Sequence, residues 1–264
     1  MNNVLKTVTM IGLGLTMPFL SSAENEVTKK INISTFKSIE VGSFFEVELV
    51  PSNSYSIEVT CDSDLEEKLN VAVKGSTLVV TMKNGVSSNN GLKRAFGKKV
   101  PVLRAKVTVP TLDGIELNGS AELTIAGDIK TNRLEIDLSG SSELTMSNVI
   151  ASEVDIDASG STSIQSTVQS STVEVETSGS ADVNLVGSAN DLIIESSGSS
   201  SIKALTLDAK HVTFDLSSAS RARVNALETL QGEVSGVSRV NYLDHKNLKK
   251  PRIKETGVST VRPL

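Results

Sequence analysis

From about Ile115 to Val261 the chain carries one short pattern eight times: an apolar residue, an acid, a small residue, then Ser-Gly-Ser or a variant. The copies read ELNGSAEL, DLSGSSEL, DASGSTSI, ETSGSADV, ESSGSSSI, DLSSASRARV, EVSGVSRV and ETGVSTV. Their pivots are Gly119, Gly140, Gly160, Gly179, Gly198, Ser218, Gly236 and Gly257, at intervals of 21, 20, 19, 19, 20, 18 and 21 residues. A period of about 20 residues is the signature of a solenoid, in which each unit buries its apolar face only against its neighbours.

Aligned on the pivots, apolar residues recur in steps of two. Six residues before the pivot stand Leu134, Val154, Val173, Leu192, Val212 and Leu230; four before it stand Ile115, Ile136, Ile156, Val175, Ile194 and Phe214. Four after it come Leu123, Leu144, Ile164, Val183, Ile202, Val240 and Val261. The sixth copy reads as holding one extra residue, which puts Val224 near that place. This alternation, rich in β-branched residues and bounded by Gly and Ser, predicts strands with one buried face. The pivot Gly reads as a corner or bulge, and the small residue two after it as the sign of a tight turn. No Pro occurs between Thr111 and Lys250, as a ladder that uses nearly every N–H requires. The expected fold is all-β: a right-handed parallel β-helix, the hand favoured for parallel crossovers. The absence of a six-residue sub-period argues against a left-handed hexapeptide helix.

Ahead of the repeats, Met1–Ala23 reads as a cleaved secretory signal: Lys6, an apolar run from Val8 to Leu20, then Ser21-Ser22-Ala23. The apolar run is too short to cross a bilayer comfortably, and no later segment could do so as a helix, so no transmembrane anchor is expected after cleavage. Residues 31–110 form a leading β-rich part and 111–264 the solenoid. Strands are expected at Ile31–Ile33, Ile39–Val41, Phe45–Val50, Tyr55–Thr60 and Val100–Val109. Val41-Gly42-Ser43 echoes the pivot. Ser63-Asp64-Leu65-Glu66 fits a capping box for a short helix to Leu69, and Val71–Val73 with Leu78–Met82 makes a hairpin. Asn84–Lys99 reads as a long loop with four basic residues; without aromatic interleaving it does not suggest a nucleic-acid partner. Cys61, the sole cysteine, cannot form an internal disulfide and reads as a small buried hydrophobe.

The formal net charge of −5 is divided unevenly. Residues 111–203 carry 15 acidic and 3 basic side chains, whereas residues 204–264 carry 6 acidic and 10 basic. The body of the solenoid is therefore acidic and its last coils are basic. The opening IEVGSFFEVEL (Ile39–Leu49), the join KVTVPTLDGIELNGSAEL (Lys106–Leu123) and the coils IDLSGSSEL and VETSGSADV resemble the bacterial head GIN domain family of auto-transporter adhesins. The resemblance runs from about Phe36 to Val261. It implies export and an extended β-helical fold, and it supplies no catalytic residues.

Three residues before the pivots stand Glu116, Asp137, Asp157, Glu176, Glu195, Asp215 and Glu233. Stacked coils would place them in one outward column, where neighbours about 5 Å apart repel by roughly 0.8 kcal/mol even at the dielectric constant of water. A solvated acidic face that keeps a β surface soluble accounts for such a column; calcium, which takes oxygen ligands, is the metal the column would suit. A second column, three after the pivots, runs Glu122, Glu143, Ser163, Asp182, Ser201, Arg221, Arg239 and changes sign along the axis. The Ser residues at the pivots, such as Ser139, Ser159, Ser178 and Ser197, recur without a His beside them, and His211 and His245 sit in no triad or metal-ligand pattern. They read as a hydroxyl ladder that satisfies polar groups at a corner. A polysaccharide-acting enzyme would break the repeat and cluster carboxylates with His, Lys or Arg. The nearest break, Ser218–Arg223 beside Asp215, reads instead as a one-residue bulge. No catalytic, cofactor-binding or firm metal residue is assigned.

These features lead to an exported, non-enzymatic binding or adhesion module of the periplasm, cell surface or extracellular space. Its expected partner is a glycan, a matrix polymer or an envelope protein. The alternatives are a periplasmic structural or envelope-stress protein and a polysaccharide-acting β-helix enzyme.

Overall fold

The protein was described from a computed structural model covering residues 26–83 and 101–264. The expected signal segment and the basic loop at Asn84–Lys99 lie outside the described residues. The chain forms a parallel β-helix whose strands join in one continuous ladder. The leading strands are β1 (Glu26–Ile31), β2 (Ser38–Val41), β3 (Glu46–Pro51), β4 (Ser56–Asp62), β5 (Leu69–Lys74), β6 (Thr77–Met82) and β7 (Leu103–Val109). The repeats supply β8 (Gly114–Leu117), β9 (Glu122–Lys130), β10 (Arg133–Leu138) and β11 (Glu143–Ala158). They continue through β12 (Ser163–Thr177), β13 (Asp182–Ser196), β14 (Ser201–Leu216) and β15 (Arg221–Val234) to β16 (Arg239–Tyr242), β17 (Arg252–Glu255) and β18 (Thr260–Pro263).

Register follows the period. Ile115, Ile136, Ile156, Val175, Ile194 and Phe214 stand directly opposite one another in successive coils, and all are buried. The second inward row, Leu123, Leu144, Ile164, Val183 and Ile202, aligns in the same way. One shared core therefore runs the length of the ladder, as short units that cannot bury an apolar face alone require. Between the two rows the chain turns at the pivots. Gly140 takes φ 77°, and a Cβ there would lie 2.4 Å from the carbonyl oxygen of Gly119 in the coil below. Glycine is needed both for the left-handed backbone and for the close stacking of corners.

The leading part enters the same ladder. β2 pairs in parallel with β8, and β3 with β9, so residues 38–51 form a coil beneath the Gly119 coil. Its corner is Ser43, at φ 66°. On the other side β2 and β3 pair in parallel with β6 and β7. The chain thus returns beneath its first coil before climbing into the repeats. The outer edges of β6 and β7 are covered by antiparallel β5 and β4, and β4 in turn by β1. The outermost β1 carries Lys29 and Lys30, charges of the kind that discourage pairing at an exposed edge.

Several local expectations change. The first strand falls in the polar segment Glu26–Ile31, where antiparallel pairing to Ile57–Asp62 holds it, and not at Ile31–Ile33. The segment Ser63–Lys68 is a 3-10 helix without a capping box. Its N-terminal carboxylate, Asp62, accepts a hydrogen bond from the Val102 N–H at 3.1 Å, and Glu66 pairs with Lys29 at 3.0 Å, so neither side chain is available as a cap. The sixth copy holds no extra residue. Ala222, not Val224, stands opposite Ile202 and Val240, and the register is unbroken from Ser201 to Ala204. The irregularity comes later, where Asp208 faces Asn225 directly after Ala204 faces Val224. It is a deletion inside β15, between Val224 and Asn225, partly made up where Ala209 faces Ala226 and His211 faces Thr229, and it accounts for the 18-residue interval.

Candidate functional site

The corner between the two inward rows has an outer surface, and there the acids stand in file. Glu116, Asp137, Asp157, Glu176, Glu195, Asp215 and Glu233 occupy one register position in consecutive coils. Six of them, all but Glu233, line a shallow groove of about 610 Å³ that runs along the axis. Its other wall is formed by Ser139, Ser159, Ser178, Ser197 and Ser217, one residue before each pivot. The column begins one coil earlier than the repeats suggest: Glu40 stands directly opposite Glu116. The signal for it was the pivot echo, once Ser43 and not Gly42 is taken as the corner. The column ends at Lys254, opposite Glu233, whose Nζ lies 2.7 Å from the Glu233 carboxylate.

Physical consequences follow from single-file stacking. The Asp157 charge on the next coil holds the Glu176 carboxyl above the usual carboxylate range, with partial burial and Glu195 adding to the effect. Partial burial raises Asp137, and Asp157 and Glu116 raise it further. In the second column Glu122 is raised by burial and by Glu143 and Glu46 on either side. A carboxyl raised in the folded state binds more protons there than in the unfolded chain. Its contribution to stability is therefore greatest below the ordinary carboxylate pKa and falls as pH rises through the raised value. Glu176→Gln is expected to raise the melting temperature at neutral pH, with the gain shrinking as pH falls into the carboxylate range. Thermal unfolding followed by circular dichroism checks this; a lower melting temperature at neutral pH would refute it.

The serines are occupied with structure. Ser139 and Ser159 donate to the carbonyl oxygens of Leu117 and Leu138 one coil below, at 3.5 and 3.3 Å. Ser142, Ser200, Ser220 and Ser259, two after their pivots, donate back across their own corners at 2.8–3.4 Å. Inside, Thr177 donates to Ser196 at 2.7 Å, Ser196 to Ser220 at 3.0 Å, and Ser220 to the Ser217 carbonyl. These buried hydroxyls form one satisfied chain, as polar groups in a core must. His211 bonds Thr229 at 2.9 Å. His245 bonds Asn225, which donates to Asp208 at 2.7 Å. Neither His approaches the acidic file. Among the described residues no three His, Cys, Asp or Glu side chains converge on a point that could hold a metal ion; the acids lie in a row. Cys61 is buried, and burial pushes its thiol up, which leaves it a poor nucleophile.

The second column also aligns, from Glu46 through Glu122, Glu143, Ser163, Asp182 and Ser201 to Arg221 and Arg239. It forms one outer strand face, acidic at the leading end and basic in the last coils. The arrangement as a whole offers straight rows of side chains at the coil spacing of about 4.8 Å. Such rows can recognise an extended partner.

Comparison with known proteins agrees with this architecture. No curated protein matches the chain. The crystal structure of a "putative adhesin" from Parabacteroides merdae is 20% identical, with a TM-score of 0.81 over 92% of this chain and 97% of that one. That of a "putative lipid binding protein" from Parabacteroides distasonis is 24% identical, with a TM-score of 0.77 over 92% and 98%. A "putative adhesin" from Bacteroides fragilis is 21% identical, with a TM-score of 0.66 over 92% and 98%. At these identities the likeness establishes a common fold. The family model described as "Putative auto-transporter adhesin, head GIN domain" matches residues 35–169 and 147–245. Those two matches take in most of the ladder, from the Ser43 coil through the Gly236 corner, and on that ground the chain belongs to the head GIN domain family.

Proposed function

We propose that the protein is an exported binding module of the cell envelope or surface, adhesive in character and without enzymatic activity. The observation that carries this reading is the layout of its outward chemistry. Acids, hydroxyls and arginines are spread in columns one coil apart, where a catalytic site would gather them around one reacting atom. A rigid ladder with side chains at fixed spacing meets a repetitive partner, such as a glycan, a matrix polymer or another envelope protein, through many weak contacts at once. Membership of a family described by its adhesins supports the same reading, as does the apolar leader at Val8–Leu20. Among the described residues no helix is long and apolar enough to cross a membrane.

The test is location. Cells are fractionated, and intact cells are treated with external protease. Degradation of the protein in intact cells, or its release into the medium, is the expected result. Full protection until the outer envelope is opened would sink the surface-adhesion reading and leave an envelope structural role.

A further inference from the structure

Three residue columns run side by side over the corner and the strand that follows it, at one, three and five residues past the pivot. In the five coils from Gly119 to Gly198 the first column is serine throughout, from Ser120 to Ser199. The second is acidic or serine over the same coils. In the last three coils both columns change together. The corner column becomes Ala219, Val237 and Val258, and the strand columns acquire Arg221, Arg223, Arg239 and Arg262. Register holds the patch together: Arg221 is directly opposite Arg239, and Arg223 opposite Asn241, which is opposite Arg262. Val237 and Val258 sit on stacked corners, tied by N–H bonds to the corner below at 2.7 and 2.8 Å. They are 60% and 78% exposed, among the most exposed large apolar side chains described.

Neither change serves the fold. Serine fills the corner column in five neighbouring coils, so valine is not required there. Directly opposed like charges destabilise a ladder. Arg104, Lys106, Arg133, Lys203 and Lys254 each have a carboxylate within 4 Å. Among the described residues no ion pair forms to Arg221, Arg223, Arg239 or Arg262, and all four are exposed. They project from a flat face and do not converge on a cavity, so a single small anion could not touch all of them.

We infer that this three-coil patch docks on an anionic lipid bilayer, with Val237 and Val258 entering the interface and the four arginines meeting head-group phosphates. Interfacial binding combines an apolar edge with flanking cations in this way, and planar guanidinium groups suit phosphate oxygens. A soluble polyanion would account for the arginines but not for the coincident change from serine to valine. The inference goes beyond the binding-module reading: it concerns what holds the solenoid to the envelope, leaving the acidic groove around the corner free to face outward. Vesicle binding by purified protein succeeds or fails independently of where the protein is found in cells.

The experiment is co-sedimentation of the exported protein, its leader removed, with vesicles of phosphatidylcholine, with and without phosphatidylglycerol. Binding is expected only to the anionic vesicles and should weaken as salt is raised. Arg221→Ser with Arg239→Ser is expected to lower affinity about 25-fold, at about fivefold per cation near an anionic surface. Val237→Ser with Val258→Ser should lower it about fivefold or more by removing the apolar edge. Both double variants install the residue type that Ser201 and Ser199 supply in the same columns of the Gly198 coil, so the fold is retained. Equal binding to neutral vesicles, no binding at low salt, or indifference to the valine pair would overturn the inference. Binding to soluble polygalacturonate that ignores the valine variants, with vesicles left unbound, would assign the patch to an acidic polymer instead.

Discussion

Gly187→Ala is expected to destabilise the protein by about 2–6 kcal/mol. Gly187 lies within β13 at φ 120°, opposite Val168 in the coil below. A Cβ there would fall 2.1 Å from the Val168 carbonyl oxygen and 3.2 Å from its amide nitrogen. Two costs add: an L-residue in this region is strained by about 1–3 kcal/mol, and forcing backbone apart in a packed interior costs about 1–3 kcal/mol more. Gly75→Ala separates them. Gly75 also has positive φ, 62°, but a Cβ there meets nothing within 4 Å, so only strain of about 1–2 kcal/mol is expected. Urea unfolding of the two variants measures the difference. Equal midpoints would mean that the close approach at Gly187 relaxes without cost.

Phe214→Ala is expected to cost about 3–5 kcal/mol, the range for emptying a buried aromatic site. Phe214 is the one aromatic residue in its inward row and is 2% exposed. The chain makes room for it one coil up, where Gly232 stands opposite and a Cβ would lie 2.6 Å from the ring. Flanking coils cannot close the gap without breaking their own ladders, so the cavity persists. Lys210→Ala, exposed on the same strand, should stay within about 0.5 kcal/mol. A loss below about 1.5 kcal/mol for Phe214→Ala in the same urea series would show that the core at this coil collapses readily.

The repeats were legible because each residue's environment is set by its neighbours one period away. Counting in twos from the pivots gave both inward rows and the acidic column, since the ladder keeps register from coil to coil. What could not be read arises from contacts that no period encodes. Glu40 joins the acidic column only because residues 38–51 stack beneath a coil more than 70 residues later in the chain. The capping box at Ser63 has the right spacing, but Lys29 draws Glu66 away, and the cap position falls to Asp62, whose carboxylate goes to the Val102 N–H. The short sixth interval announced a missing stretch without saying on which side of the pivot it fell. The C-terminal segment hides that gap by sending Lys249 to the Glu228 carbonyl and His245 to Asn225. The change from serine to valine at the corners was visible in the copies, yet it carries meaning only beside the unpaired arginines that the register brings next to it.

The coil of residues 38–51, held between β6–β7 and β8–β9, gives assembly a direction. Every rung from Gly140 onward rests on a rung made about 20 residues earlier, a local contact that closes quickly. The leading end is different: residues 77–82 and 103–109 must come back under a strand pair laid down first, while residues 114–130 cover it from above. That closure is long-range and entropically costly, so it is the slow step. Once made, it leaves the parallel edge of β8 and β9 open, and later rungs add to it in the order in which the chain emerges during synthesis. The ladder therefore grows as a zipper with one starting end.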